Sequence, residues 1–128
     1  MNVVFDTYAW IEYFIGSEQG RVVESYLKET VITPFIVLLE LSYRADKEGW
    51  NFKQYLEFVK INSNITSITE EFALRFGQVY NKAKKDVPGI GIADAIILLT
   101  ALEQNAKILT GDEHFKNLPQ TIMLKGGA

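Results

Sequence analysis

The sequence predicts an α/β fold with a mainly parallel sheet. Short apolar runs rich in valine and isoleucine alternate with longer segments of helical periodicity, which is the pattern of strand–helix units. The runs are apolar at nearly every position, as expected for strands covered by helices on both faces. With 128 residues, 48% of them hydrophobic, the chain suffices for one domain with a core.

Five strands and six helices are expected in alternation. The strands are predicted at residues 2–5, 31–33, 64–67, 107–109 and 121–124. The helices are predicted at residues 7–15, 19–28, 34–47, 52–61, 69–85 and 92–104. Since no repeats, linkers or low-complexity segments interrupt this order, we expect a single domain over residues 1–125 and a short tail over 126–128.

Local residue chemistry supports these boundaries. The first helix begins at Asp6-Thr7 and is expected to turn Ile11, Phe14 and Ile15 inward. Pro34 suits the first turn of the third helix, because proline has no N–H group to leave unpaired there.

Composition excludes some classes of protein. Without cysteine there are no disulfides and no thiolate metal sites, and the chain fits a reducing compartment. Neither a signal peptide nor an apolar run of roughly 20 residues is present, so we expect a cytoplasmic protein with no membrane partner. A net charge of −3 gives no general footprint for nucleic acid, but acids gathered around a cation would weaken that argument.

Four carboxylates stand where a solvated charge is not expected. Asp6 ends the first apolar strand, Glu40 and Asp94 interrupt apolar helical stretches, and Asp112 follows the fourth strand. A lone carboxylate in an apolar setting is costly to ionise unless a cation lies beside it. Four of them in one small domain indicate a shared cation site.

Topology allows these acids to meet. Ligands of open parallel sheets bind beyond the carboxyl ends of the strands, where Asp6 and Asp112 lie. If the two strands are neighbours, their ends are about 4.8 Å apart. Glu40 lies in the helix leaving the second strand, and Asp94 lies near the start of the helix preceding the fourth. Both positions belong to the same edge.

Each acid also has an ordinary structural explanation. Asp6 can cap its helix, and Glu40 can pair with Arg44 one turn later. Asp94 suits a first helical turn, and Asp112 suits a turn after glycine. Taken one at a time, these structural explanations remain possible. Taken together they are weaker, because all four residues map to one end of the sheet.

The ordered motifs resemble a known family. They are Asp6-Thr7 after a strand, Glu40 in an apolar helix, Asp94 within residues 91–95, and the segment Thr110-Gly-Asp-Glu-His-Phe. This set resembles a PIN-domain ribonuclease over essentially the whole chain, and most closely the VapC-type toxins of prokaryotic toxin–antitoxin pairs.

The resemblance implies a three-layer α/β/α sandwich with a parallel five-stranded sheet of order 3-2-1-4-5. It implies endonucleolytic cleavage of RNA with Mg²⁺ or Mn²⁺, a homodimer and a cognate antitoxin. The implied catalytic and metal-binding acids are Asp6, Glu40, Asp94 and Asp112, with Thr7 and Thr110 as supporting hydroxyl positions.

The chemistry fits this implication. Mg²⁺ prefers oxygen ligands, and a bound divalent ion can activate water toward a phosphodiester. We assign Asp6 and Asp94 as direct ligands, whereas Asp112 and Glu40 can ligate directly, ligate through water or orient the attacking water. His114, the only histidine, is interpreted as packing or capping near Phe115 rather than as a general base.

An alternative function is a non-enzymatic RNA- or protein-binding module on the same fold. The complete acid set favours the nuclease, because a binding module does not need it.

Two further features of the sequence each have two interpretations. The lysines at 82, 84 and 85 can contact RNA phosphates or form a solvated helix end. Aromatic residues are dense in the segment of the third and fourth helices, so some must belong to the core and any surplus on the surface would form an interface patch. They are Tyr43, Trp50, Phe52, Tyr55 and Phe58.

Overall fold

The computed structural model describes residues 1–124 and contains one parallel five-stranded sheet of order β3-β2-β1-β4-β5. The strands are β1 (Asn2–Phe5), β2 (Thr30–Pro34), β3 (Asn64–Thr66), β4 (Lys107–Thr110) and β5 (Thr121–Met123). The helices are α1 (Thr7–Ile15), α2 (Glu18–Ser25), α3 (Phe35–Glu48), α4 (Phe52–Asn62), α5 (Glu70–Asp86) and α6 (Ile92–Glu103). The predicted α/β/α sandwich and its strand order are therefore confirmed. The expected tail, residues 126–128, lies outside the described part of the chain.

The register of the central strands positions the acidic edge. Strand β1 lies between β2 and β4, and Phe5 is the register partner of Leu109. Since the strands are parallel, Asp6 and Thr110 leave the sheet side by side at its carboxyl edge. The sequence argument assumed that the first and fourth strands are neighbours, and the pairing of β1 with β4 confirms it.

The core lies on both faces of these central strands. Val3, Val4 and Phe5 of β1 are completely buried, as is Ile108 of β4. Helix α6 contributes a nearly continuous apolar surface, which explains why its sequence lacks the alternation of a half-exposed helix.

An aromatic cluster packs α1 against α4. We give this name to Trp10, Tyr13, Phe14, Tyr55 and Phe58. Trp10 is fully buried, lies 4.9 Å from Phe5 and 5.6 Å from Phe14 between ring centroids, and donates its indole N–H to Thr33 Oγ1 at 3.1 Å.

The expected inward position of Ile15 is wrong, because its side chain is 51% exposed. Trp10 and Phe14 are one helical turn apart and share the buried face, and Ile15 lies roughly 140° around the helix from Trp10.

Helix α2 begins and ends earlier than predicted. Ser17 caps its start by accepting the Gly20 N–H at 3.0 Å. The predicted end at residue 28 is wrong, because the N–H groups of Tyr26 and Leu27 bond three residues back, at 2.9 and 3.0 Å, in tighter turns. Within residues 1–124, no helix combines the length and apolarity that crossing a membrane requires.

Candidate metal centre

Asp6 is the most buried acid of the predicted site. It directly follows β1, is 4% exposed, and accepts the Ala9 N–H at 2.8 Å as the cap of α1. Burial raises the pKa of Asp6 to about 7, against the opposing effects of hydrogen bonds from Thr110 and Ala9. The negative charges of Asp112 and Asp94 raise it further. The capping interpretation is therefore correct, and the residue also lies among the other acids.

Asp94 lies in the first turn of α6, as the dipole argument allowed. Its side chain is 22% exposed, and burial raises its pKa to about 6. The charge of Asp112 is the next cause of that increase, and Glu40 adds to it, while His114 lowers the pKa. Asp94 therefore interacts electrostatically with Asp112, Glu40 and His114.

Glu40 faces the start of α1 rather than the rest of its own helix. Its Oε1 accepts the Thr7 hydroxyl at 2.5 Å. The alternative pair of Glu40 with Arg44 is wrong, because Arg44 Nε lies 3.2 Å from Glu48 Oε1 and its guanidinium lies over the Trp50 ring at 5.5 Å. The four-residue spacing along α3 permits Arg44 to pair with either Glu40 or Glu48. Because Glu40 bonds to Thr7 of α1, Arg44 pairs with Glu48.

Asp112 is fixed by the turn that follows β4. Its N–H donates to Thr110 Oγ1 at 2.9 Å, and its Oδ1 accepts the N–H of His114 at 2.9 Å. A Cβ built on Gly111 would lie 2.2 Å from the Tyr8 ring, so glycine lets this turn approach α1 closely. Both predicted hydroxyl positions, Thr7 and Thr110, thus bond to the acids or to their backbone.

His114 is the residue whose position sequence reasoning missed. Its Nδ1 lies 3.1 Å from Asp112 Oδ1 and 3.5 Å from Asp94 Oδ2. The interpretation that it packs near Phe115 is wrong, because Phe115 is fully buried while the His114 side chain is 46% exposed and meets the carboxylates. Its spacing, two residues after a predicted ligand in a tight turn, was the available signal.

A compact donor set results from these positions. One ligand atom each from Asp94, Asp112 and His114 lie within 4.8 Å of one another. Asp6 and Glu40 flank this set and interact electrostatically with its members. Carboxylate oxygens with one imidazole nitrogen form a donor set that suits a divalent cation.

The three lysines singled out in the sequence lie in the last two turns of α5. Lys82, Lys84 and Lys85 are exposed, and Lys84 Nζ lies 5.2 Å from the centroid of the Tyr80 ring. Tyr80 in turn donates its hydroxyl to the Ile90 carbonyl at 3.3 Å, just before α6. The lysines therefore lie on the segment that leads to Asp94.

The profile of the PIN domain matches residues 3–120 of the chain. The chain belongs to the PIN-domain family. No curated protein sequence matches this PIN domain at a significant level.

Solved structures share the fold of this PIN domain. A chain of a toxin–antitoxin complex from Klebsiella pneumoniae is 22% identical, with a TM-score of 0.79 over 96% of this chain and 98% of that one. A chain of VapBC2 from Rickettsia felis, bound to a promoter DNA fragment, is 22% identical, with a TM-score of 0.73 over 96% and 97%. A chain of DNA-bound VapBC from Salmonella typhimurium is 20% identical, with a TM-score of 0.71 over 96% of each chain.

Proposed function

We propose that this PIN domain is a divalent-metal-dependent endoribonuclease and the toxin of a toxin–antitoxin pair. The observation that carries the proposal is the convergence of Asp6, Glu40, Asp94 and Asp112 at one sheet edge, with the pKa of Asp6 and of Asp94 raised. Crowded carboxylates with raised pKa values are typical of functional sites. The family and the toxin–antitoxin complexes among its structural neighbours support this choice.

The donor set fits Mg²⁺ or Mn²⁺. Asp94 and Asp112 would hold the ion, and the buried Asp6 would contribute negative charge or a further ligand atom. When bound, such an ion neutralises the crowded acids, activates water and stabilises the charge that develops on the phosphate. The carboxylates also repel an RNA backbone unless a cation is present, which makes metal binding a condition for substrate binding.

Glu40 is proposed to orient the attacking water. It lies outside the compact donor set, is half-buried, and is held by the Thr7 hydroxyl through one of its two oxygens. The second oxygen is then available to accept a proton from water as the phosphodiester is attacked. Thr7 is a positioning residue in this scheme.

Cleavage of a labelled RNA in Mg²⁺ or Mn²⁺ tests the proposal. EDTA should abolish cleavage, and Asp94→Asn should lower the rate on the order of a hundredfold or more, since the ligand charge positions the ion. Asp46→Asn is the matched control, because Asp46 is an exposed aspartate on α3. Full cleavage by Asp94→Asn with saturating metal would refute the site. RNA binding without cleavage would favour the binding-module alternative.

The proposed antitoxin surface is an exposed apolar row on α3. Phe35, Leu39 and Tyr43 follow one another at helical-turn spacing and are 46%, 56% and 71% exposed. They continue into a groove of about 690 Å³ that begins at the acidic site and is lined by Thr7, Ile11, Leu39, Glu40, Tyr43, Arg44, Lys47 and Glu48. Of the five aromatic residues between Tyr43 and Phe58, only Tyr43 is largely exposed. Such a patch is typical of an interaction site.

Growth experiments test the partner. Expression of the wild type should slow growth, and co-expression of a candidate antitoxin, sought in a small reading frame beside the gene, should restore it. Tyr43→Arg should weaken this rescue without abolishing RNA cleavage. Leu74→Arg, at a 79% exposed position on α5, is the matched control. Normal growth during expression of active enzyme would refute the toxin function and leave the nuclease function intact.

The proposal also includes a homodimer and a cytoplasmic location, where RNA is available.

A further inference from the structure

We propose that His114 is a nitrogen ligand of the bound ion and makes the centre select Mn²⁺ over Mg²⁺. This inference rests on the proposed metal-dependent function and concerns a residue outside the four acids. It starts from the position of one imidazole between two carboxylates.

The distances match neighbouring ligand positions. His114 Nδ1 lies 3.1 Å from Asp112 Oδ1 and 3.5 Å from Asp94 Oδ2. In an octahedral site with bonds of about 2.1 Å, adjacent ligand atoms are roughly 3.0 Å apart. The three atoms can therefore occupy adjacent positions around one ion after small side-chain movements.

The local backbone holds His114 in this position. Asp112 accepts the N–H of His114 at 2.9 Å through its carboxylate and that of Phe115 at 3.1 Å through its carbonyl. Phe115 is fully buried and anchors the turn in the core. The imidazole is therefore presented from a fixed turn even though its side chain is 46% exposed.

In the described part of the chain, no other basic side chain competes for these carboxylates. Among residues 1–124, His114 alone lies within ion-pair distance of Asp94 or Asp112. The nearby Lys116 is directed to Glu113, at 3.4 Å. A permanent ammonium or guanidinium would exclude a divalent ion, whereas a neutral imidazole offers a lone pair to it.

Ligand chemistry gives the expected selectivity. Mg²⁺ favours oxygen donors and retains several waters, so a nitrogen ligand adds little to its affinity. First-row transition ions gain from imidazole, and Mn²⁺ accepts carboxylates as well. A set of two carboxylates and one histidine therefore favours Mn²⁺ when both ions are present.

Electron spin-echo spectroscopy of bound Mn²⁺ tests the contact directly. Because His114 is the only histidine of the chain, an imidazole nitrogen coupling in untagged protein can come from no other residue. The wild type should show this coupling, and His114→Gln should lose it. The dissociation constant for Mn²⁺ should rise about tenfold in His114→Gln, while that for Mg²⁺ should change less than about twofold.

Three outcomes would overturn the inference. Bound Mn²⁺ without nitrogen coupling in an enzyme that still cleaves RNA would remove His114 as a ligand and leave the proposed function intact. Equal weakening of Mg²⁺ and Mn²⁺ binding in His114→Gln would remove the selectivity. Failure of the wild type to bind either ion would overturn the metal-dependent function together with the inference.

Discussion

Helix α1 joins two regions in which burial has opposite effects on the folded state. On one side Trp10 lies in the aromatic cluster, fully buried and hydrogen-bonded to Thr33. At its start, Asp6 is almost as deeply buried, at 4% exposure, and burial raises its pKa to about 7. The same helix thus gains stability from its apolar face and loses some at its acidic end.

This difference indicates how a small domain maintains an acidic centre. Aromatic pairs contribute roughly 0.5–1.5 kcal/mol each beyond the burial of their area. The centroid distances within the cluster, such as 5.2 Å for Tyr13–Phe58 and 4.4 Å for Phe14–Tyr55, lie in the range of such pairs. We infer that the cluster stabilises α1 enough to hold Asp6 in place without a cation.

The largest effect is expected at the aromatic cluster. Trp10→Ala should lower the free energy of unfolding by about 3–5 kcal/mol, because it leaves a cavity among packed rings. Trp10→Phe is the control that keeps a ring and loses the hydrogen bond to Thr33, with a loss of about 1 kcal/mol beyond the volume change. Guanidinium unfolding curves measure both. A loss below about 1 kcal/mol for Trp10→Ala would show that the aromatic cluster does not stabilise α1.

At the acidic end, ionisation of the buried carboxylates is expected to destabilise the folded state. The pKa values of Asp6 and Asp94 are raised to about 7 and about 6, so the metal-free folded state holds more protons than the unfolded chain. The resulting stability is complete below about pH 4 and is lost as the pH rises through 6 and 7. Unfolding free energy should therefore fall between pH 5 and pH 8, with a slope of at most about 1.4 kcal/mol per pH unit for each proton.

Asp6→Asn sharpens this prediction. Asparagine caps a helix about as well as aspartate, so the substitution removes the charge and keeps the cap. In EDTA at pH 8 the variant should melt above the wild type, and its stability should depend less on pH. Saturating Mn²⁺, at about 100 times its dissociation constant, should stabilise the wild type by roughly 2.7 kcal/mol. An unchanged pH slope in Asp6→Asn would show that Asp6 does not titrate in this range.

The smallest effect is expected at the exposed ion pair of α3. Arg44 and Glu48 have side chains that are 39% and 41% exposed, so solvent screens their attraction. Glu48→Gln should change the free energy of unfolding by less than about 0.5 kcal/mol at any pH between 5 and 8. Thermal melting at low and high salt measures this. A loss of unfolding free energy above about 1 kcal/mol would mean that surface charge pairs, and not burial alone, contribute substantially to the stability of the domain.

The sequence predicted the parts of the fold that depend on local chemistry. Apolar runs identified all five strands, and the positions of Asp6 directly after β1 and of Asp112 shortly after β4 followed from them. The strand order came from the family resemblance, because local pattern does not say which strands pair. The register of Phe5 with Leu109 then brings the two strand ends together.

The missed details depend on contacts between distant segments. Helical spacing allowed Glu40 to pair with Arg44, and only the packing of α1 against α3 gives it Thr7 instead. Periodicity does not say where a side chain points in a tight turn, so the spacing of His114 after Asp112 indicated that it lies near the acids without giving its contacts. Ile15 looked as apolar as its neighbours, but the aromatic cluster selects the face that carries Trp10.

The strand order determines when, during synthesis, the acidic centre is assembled. Asp6 and Asp112 stand almost at opposite ends of the chain, and they meet only because β4 pairs with β1. A ribosome makes Asp6 early and reaches Asp112 on the order of ten seconds later, at about 5–20 residues per second. Until β4 has been made and has docked beside β1, the nascent chain lacks a complete acidic centre. Under the proposed function, the topology of the sheet would thereby withhold nuclease activity from the growing polypeptide.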